Sequence, residues 1–192
     1  GTDGALVPAC SGCYATTGNY NFPNVKAPRE HNKEDWKRNE WVSDMVKELD
    51  NDRYFRWFDS GDLQSVEHLH KIVRVCRRTP WVRHWLPTHE HQMVAIYLRG
   101  ADAEIPPNLC LRLSADMIDQ PPDLFAELAD LPTSTVHRGH GNDQVVQVSS
   151  DPKDSIECRA YTVASREGAA GSCRSCRACW DPRVRNISYP IH

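Results

Sequence analysis

Short apolar strands alternate with amphipathic helices through the middle of the chain, and this order limits the fold to a few architectures. The run "RYFRWFDSGD" precedes "LQSVEHLHKIVRVCRRTP", where Leu69, Ile72 and Cys76 recur at helical spacing before a proline. The same order repeats in "WVRHWLP" with "HEHQMVAIYLRGAD", and in "NLCLRLSADMI" with "DLFAELADL", before the short strand "TSTVHRG". The alternation predicts a parallel sheet whose strands are joined by crossover helices.

About four or five such strands are too few to close an eight-stranded barrel. We therefore predict an α/β fold, a partial or small (β/α) TIM-like barrel with an irregular, cysteine-rich C-terminal tail in which "IECRAYTV" adds one strand. The 192 residues are expected to form a single domain, with the barrel-like core over 1–138 and the tail over 139–192. Before the core strands, residues 32–50 place Trp36 and Trp41 in an amphipathic pattern that predicts one helix.

The charge of the chain argues against a protein that works mainly by neutralising phosphates. Its formal net charge is −3 and its isoelectric point is about 6.3, whereas nucleic-acid-binding domains usually carry a basic excess. Its apolar runs fall short of the roughly 20 residues that span a bilayer, and its first residues lack the pattern of a secretory signal. We therefore expect a cytoplasmic protein with no membrane role, for which a nucleic-acid partner is disfavoured.

Polar side chains come directly after the predicted strands, where ligands bind in parallel sheets because the connecting loops converge there. Carboxylates and a histidine at such a rim can act as general acids or bases, although "DSGD" can equally form a turn that caps the next helix. His89 and His91 would share one face of an extended strand, but no third ligand is spaced to complete a hydrolytic metal motif. The candidate catalytic residues are Asp59, Asp62 and His89, and the candidate ligand-binding residues are Ser60, Gly61, Thr88 and Asp116.

Six of the eight cysteines fall into two groups. Cys10 and Cys13 form "CSGC" near the amino terminus, and the tail carries "CRSCRACW" with one more cysteine upstream. Cys76 and Cys110 lie instead in apolar patterns, which favours a place in the core. The tail group is Cys158, Cys173, Cys176 and Cys179.

Closely spaced cysteines in a chain without an export signal favour a metal over disulfides. In a C-x2-C element, a tight turn brings both thiolates to one side of the backbone, where they bind one ion or cluster. Zinc is usually held by two separate C-x2-C pairs, whereas C-x2-C-x2-C with a remote fourth cysteine is typical of 4Fe-4S clusters. We therefore predict a 4Fe-4S cluster on the tail group, with zinc as the alternative and with Cys10 and Cys13 as candidate further ligands.

Four ordered motifs resemble the phage gene-product-88-like family. They are "CSGCYATTGNY", "RWFDSGDLQSVEHL", "LRLSAD" and "CRSCRACWDP…ISYPIH", and together they extend over most of the chain. The strand end that commonly reads "Y-T-K" in the family is "WLPTHE" here, so His89 stands where a lysine is common. The resemblance implies a viral protein that acts in an infected host cell.

The family is in turn distantly similar to radical S-adenosylmethionine (radical SAM) enzymes, whose "C-x3-C-x2-C-Y" signature opens a partial or full β/α barrel. Cys10, Cys13 and Tyr14 match the end of that signature, and Leu6 occupies the position of its first cysteine. The similarity therefore implies a barrel-like fold and a cluster, without the three-cysteine site that cleaves S-adenosylmethionine.

Two functions are compatible with these residues. Neither function requires that the chain be an enzyme. The first is a phage-type iron–sulfur protein whose rim binds a small molecule or whose cluster exchanges electrons with a partner. The second is a zinc-stabilised module that binds nucleic acid or a host protein through the arginines near the last cysteines. Those arginines are Arg174, Arg177, Arg183 and Arg185.

Overall fold

Six parallel strands form one curled sheet with the shape of a half-barrel, which confirms the α/β class and the open barrel. The computed structural model describes residues 7–11, 18–101, 103–139, 144–158, 160 and 176–191. The strands are β1 (Tyr54–Arg56), β2 (Arg83–Thr88), β3 (Leu109–Ile118), β4 (Thr133–His137), β5 (Ser155–Glu157) and β6 (Asn186–Pro190). Their order across the sheet is β1-β2-β3-β4-β6-β5, so β6 lies between β4 and β5.

Helices cover one face of the sheet, here called the outer face, and build the hydrophobic core there. The helices are α1 (Pro23–Asp35), α2 (Trp41–Glu48), α3 (Val66–Arg78) and α4 (His91–Leu98). Ser65 starts α3, because its side chain accepts a hydrogen bond from the His68 amide. Leu69 and Ile72 of α3 and Leu111 of β3 are fully buried, and burial of such apolar surface holds the layers together. None of the helices in the described part of the chain is long and apolar enough to cross a membrane.

The opposite face of the sheet, here called the inner face, carries polar side chains. Successive side chains of a strand point to opposite faces, so Arg112 points inward while Leu111 and Leu113 join the core. The register of neighbouring strands extends this face from Trp85 on β2 to Tyr189 on β6. The inner-face residues named below are Trp85, Cys110, Arg112, Ser114, Asp116 and Tyr189.

The prediction of one helix over 32–50 is wrong, because the chain turns between α1 and α2. The amino group of Lys71, on α3, lies under this turn and donates hydrogen bonds to three carbonyl oxygens. Acceptors at the end of a helix have no partner within the helix, so the buried amino group stabilises the break. The three carbonyl oxygens belong to Trp36 (2.9 Å), Lys37 (3.2 Å) and Arg38 (3.0 Å).

Replacing Lys71 with Met is expected to lower the free energy of unfolding by about 3 kcal/mol, since three carbonyl oxygens lose a charged donor. The matched control is Lys47→Met on α2, because the Lys47 side chain is 77% exposed. The control is expected to change the free energy of unfolding by less than about 0.5 kcal/mol. Urea unfolding of both variants measures the difference. Equal losses of unfolding free energy would contradict the conclusion that Lys71 stabilises the turn between α1 and α2.

Two further segments differ from the sequence prediction. "DLFAELADL" forms one turn of 3-10 helix, Ala126–Leu128, in place of a crossover helix, because prolines on both sides leave little room for a longer one. "IECRAYTV" is a strand up to Glu157, and residues 159 and 161–163 lie outside the described residues. The segment "NISYP" adds an unpredicted strand, β6. The predicted tail therefore supplies two strands of the sheet and is not wholly irregular.

Asn186 fastens these two strands to β4 on the outer face. Its side-chain nitrogen donates to the Thr135 hydroxyl at 3.1 Å, to the Val146 carbonyl oxygen at 3.0 Å and to the Ser155 hydroxyl at 3.2 Å. Its side-chain oxygen accepts from the Thr133 hydroxyl at 3.0 Å. Because Asn186 is fully buried, this network satisfies polar groups that would otherwise destabilise the sheet.

Candidate functional site

The carboxylate of Asp62 fastens the loop after β1 to the end of β2. Its Oδ1 accepts hydrogen bonds from the Leu63 amide at 2.7 Å and the Thr88 hydroxyl at 2.5 Å. Its Oδ2 accepts from the His89 amide at 2.7 Å. Gly61 precedes it with a φ of +91°, which residues with a side chain rarely adopt. Asp62 therefore joins two loops at the rim. It does not cap α3, because Ser65 is the capping residue.

The same loop borders a cavity of about 1160 Å³ between α1, α2 and β1. Asp59, Ser60, Gly61 and Asp62 all line it. Tyr20, which precedes α1, donates its hydroxyl hydrogen to the Asp59 carboxylate across the cavity. Several other lining side chains are aromatic or positively charged, including Trp36, Trp57, Phe58, Arg29 and Arg56. The cavity thus offers acceptors, cations and ring faces to a ligand.

On the opposite side of Asp62, His89 joins Cys10 to Asp116 through the two nitrogens of its ring. Nε2 lies 3.5 Å from Sγ of Cys10, and Nδ1 lies 2.9 Å from Oδ1 of Asp116. The short 3-10 helix Pro8–Cys10 brings the thiol to this point, because it packs against β3. The side chains of His89 and Asp116 are 26% and 47% exposed, so a molecule in solution can reach them.

The surroundings of His89 favour its protonated form. Burial lowers the pKa of His89, but the hydrogen bond and charge of Cys10, with smaller effects from Asp116 and Asp62, raise it to about 9. The pKa of Asp62 is also raised, because burial outweighs its three hydrogen-bond donors. His89 is therefore protonated at neutral pH, between the sulfur of Cys10 and the carboxylate of Asp116.

The segment with the last cysteines covers the inner face of the half-barrel. Trp180 donates a hydrogen bond from Nε1 to the Phe55 carbonyl oxygen at 3.0 Å. Its ring meets the ring of Trp85 at a steep angle, with 5.2 Å between the centroids. The short 3-10 helix Ala178–Trp180 is thereby held over β1 and β2, and it carries Cys179 toward the middle of the sheet.

Two cysteines of the tail meet at Tyr189. Sγ of Cys179 lies 3.3 Å from the Tyr189 hydroxyl, and the Cys158 amide donates to the Ser188 carbonyl oxygen at 2.8 Å. Burial raises the pKa of Tyr189, and the negative charges of Cys179 and Cys158 raise it further. Tyr189 therefore keeps its hydroxyl hydrogen and can donate it to a thiolate.

Arg112 lies beneath this segment and is fully buried. Its Nη1 donates to the carbonyl oxygens of Thr133 at 2.8 Å and Val184 at 3.0 Å. Its Nη2 lies 3.7 Å from Sγ of Cys110 and also donates to the carbonyl oxygens of residues 178 and 181. Within the described residues, its Nε has no hydrogen-bond partner and no carboxylate forms an ion pair with its guanidinium. The positive charge is thus buried among neutral acceptors.

The structure brings some of the predicted site residues together and separates others. Asp62 binds the Thr88 hydroxyl and the His89 amide, and Cys10 and Asp116 contact the His89 ring, whereas the loop residues before Asp62 line the cavity. His91 begins α4 and its Nε2 contacts the Ser114 carbonyl oxygen at 2.9 Å, whereas His89 directly follows β2, so the two histidines do not lie on one extended strand. The remaining predicted residues lie in the cavity (Asp59, Ser60, Gly61), beside Tyr189 (Cys158, Cys179) or in the same segment (Cys176).

The predicted metal ligands are incompletely described, since Cys13 and Cys173 lie outside the described residues. Among the residues for which coordinates are described, no group of three or more His, Cys, Asp or Glu side chains could hold a metal ion. Cys76 and Cys110 are buried with free thiols, and burial raises the pKa of both.

Three of the arginines near the last cysteines have protein partners. Arg183 pairs with Asp181, with Nη2 and Oδ2 2.8 Å apart, and Arg185 donates to the carbonyl oxygens of Ala129 and Asp130. The guanidinium of Arg177 lies 4.5 Å from the centroid of the Tyr54 ring. Arg174 lies outside the described residues. These contacts weaken the interpretation of the arginines as a phosphate-binding surface.

Sequence reasoning missed Arg112 and Tyr189. A signal for Arg112 was present, because it is a lone charge in the apolar strand "NLCLRL" at an inward-pointing position. No local signal distinguished Tyr189, since "NISYP" is short and was not recognised as a strand.

Comparisons with known proteins bear on this architecture. Neither the curated proteins nor the solved structures contain a match. The sequence profile of the family described as gene product 88 matches residues 4–182, which covers most of the chain, including both cysteine groups and all seven predicted rim residues. The chain therefore belongs to the gene product 88 family.

Proposed function

We propose that the chain binds one 4Fe-4S cluster on the inner face of the half-barrel, through the tail cysteines. When bound, such a cluster transfers single electrons. The protein would exchange electrons with a partner, or use the cluster to hold the tail beside a ligand-binding rim. The proposed ligands are Cys158, Cys173, Cys176 and Cys179.

The buried guanidinium of Arg112 carries this proposal. A cation removed from water costs several kcal/mol unless a negative charge compensates for it. Its acceptors among the described residues are carbonyl oxygens and the Cys110 thiol, all of them neutral. The thiolates that hold a metal cluster would supply a negative charge, which no ion pair among the described residues gives to Arg112, in the segment that Arg112 already contacts.

The contacts of Tyr189 also support a thiolate site. Cys179 and Cys158 come from chain segments that are about 20 residues apart, yet both lie beside this one side chain. Hydroxyl and amide donors near the sulfurs stabilise metal-bound thiolates and tune the metal. The donor chemistry of this region therefore fits a cluster ligated by cysteines.

Zinc is the second candidate for this site, since four thiolates around zinc would compensate the charge of Arg112 equally well. The spacing in "CRSCRACW" favours the cluster. A role of such a zinc module in binding nucleic acid has less support, because Arg183 and Arg185 are engaged with protein atoms.

The rim is proposed to bind a small molecule in the cavity beside Asp59. The cavity is large enough for a ligand, and cationic and aromatic side chains line it together with the carboxylates. We also propose that the protein acts in the cytoplasm of an infected cell. A distant likeness to radical SAM enzymes stays part of the proposal and rests on "CSGCY" in the sequence, whereas Leu6 argues against cleavage of S-adenosylmethionine.

Anaerobic purification with quantification of iron, sulfide and zinc tests the proposed function. We expect about four irons and four sulfides per chain, with visible absorption that bleaches on reduction. Cys176→Ala is expected to lose most of the metal, while the matched control Cys76→Ala, which alters a core thiol, should retain it. One zinc per chain and a colourless protein would favour the zinc alternative, and equal metal in both variants would contradict the ligand assignment.

A further inference from the structure

We infer that Cys10, His89 and Asp116 form a nucleophilic thiol site that accepts an acyl group from an ester or thioester. This inference is independent of the proposed cluster, because it uses none of the tail cysteines. It assigns the rim a covalent chemistry in addition to ligand binding.

The order of the three side chains fits a relay and not a metal site. Sγ of Cys10 faces Nε2 of His89 at 3.5 Å, and Oδ1 of Asp116 faces Nδ1 at 2.9 Å. The two ring nitrogens point in opposite directions, so the imidazole separates the thiol from the carboxylate. Such an arrangement lets the ring take a proton from sulfur while the carboxylate orients the ring and stabilises its charge.

Independent contacts hold the thiol and the imidazole of the relay. The His89 amide donates to Asp62, whose other oxygen accepts from the Thr88 hydroxyl. Cys10 lies at the end of a 3-10 turn in which its amide donates to the Val7 carbonyl oxygen at 2.8 Å. The thiol and the imidazole are thus positioned by separate backbone segments that meet at the end of β3. Preorganisation of this kind is what a nucleophile and its base require.

The site is open on one side. Cys10 is half-buried, and the His89 and Asp116 side chains keep 26% and 47% of their surface exposed. A substrate carbonyl can therefore approach the sulfur from solvent.

The reaction proceeds in two balanced steps. Sγ of Cys10 attacks the carbonyl carbon, an S–C bond forms, and the bond from that carbon to the leaving oxygen or sulfur breaks. The proton that His89 took from the thiol passes to the leaving group. Water then attacks the thioester on Cys10 and gives a proton to His89, the S–C bond breaks, and the thiol is restored with release of a carboxylic acid.

p-Nitrophenyl acetate, an activated ester, tests the inference on the full chain. Peptide mass mapping after brief exposure is expected to find acetyl on Cys10 well before any other cysteine. His89→Gln is expected to slow this acylation about 100-fold, the usual contribution of a general base. Asp116→Asn should slow it less, and rescue by Asp116→Glu would mark a positioning residue. The matched control is His70→Gln, since His70 is exposed on α3, and its rate should equal that of the wild type.

Two results would overturn the inference. The first is acylation of Cys10 at an equal rate in the wild type and His89→Gln, or no acylation of Cys10 at all. The second is loss of metal in Cys10→Ser, because this would make Cys10 a ligand; unchanged metal content and melting temperature are expected. Absence of iron in the wild type would instead contradict only the proposed cluster, so the two failures are distinguishable.

Discussion

Arg112→Met is expected to remove the bound metal and to lower the free energy of unfolding by about 3 kcal/mol or more. Four carbonyl oxygens lose a donor; those of residues 178 and 181 keep a backbone amide, and a buried acceptor left without any partner costs about 1–3 kcal/mol. The segment 176–185, which contains the last two cysteines, loses the contacts that hold it on the inner face. Urea unfolding and metal analysis of the purified variant measure both effects.

Arg112→Lys is the matched control for this experiment, because it keeps the positive charge and loses the planar set of donors. It is expected to retain part of the metal and to be less destabilised than the Met variant. A metal-free Met variant that is more stable than the wild type would mean that the Arg112 charge has no compensating partner in the native protein. That outcome would contradict an anionic site on the inner face.

Lowering the pH from about 7.5 to about 5 is expected to cost about 2 kcal/mol of stability for each of His68 and His84. Burial lowers the pKa of His68, helped by the charge of Lys71, and burial lowers that of His84; both reach about 4. The unfolded chain takes up these protons near pH 6.5, before the folded chain does. The stabilisation is therefore complete above about pH 6.5 and is lost as the pH falls toward about 4.

The contribution of each histidine is isolated by comparing pH dependences. His84→Gln is expected to lose about 2 kcal/mol less than the wild type over this pH range, because it removes one buried site of protonation. Protonation of His89 changes the stability in the opposite direction, because its raised pKa adds stability as the pH falls. This contribution is the same in His84→Gln and in the wild type, so it cancels when the two are compared. His70→Gln, on an exposed position of α3, should keep the pH dependence of the wild type. Identical curves for His84→Gln and the wild type would contradict the assignment.

The residues at or just after the strand ends were the part of the rim that could be predicted. The positions of Asp62, Thr88 and Asp116 followed from strand ends, because parallel strands carry their C-terminal ends to one edge. The fastening of Asp62 to the His89 amide did not follow, since it depends on where the loop after β1 turns. The division of the predicted helix at 36–40 was missed because its cause, Lys71, lies on another helix.

The amino-acid sequence by itself determined the layered α/β architecture, the amphipathic helices and the grouping of the cysteines, because strand, helix and C-x2-C signals are local. The tertiary structure alone decided that Cys10 meets His89, 79 residues away, and that Cys179 meets Tyr189 above a buried Arg112. These contacts depend on the curvature of the sheet and on which segment covers its inner face. Both are properties of the packed chain, because they arise from burial and hydrogen bonds between distant residues.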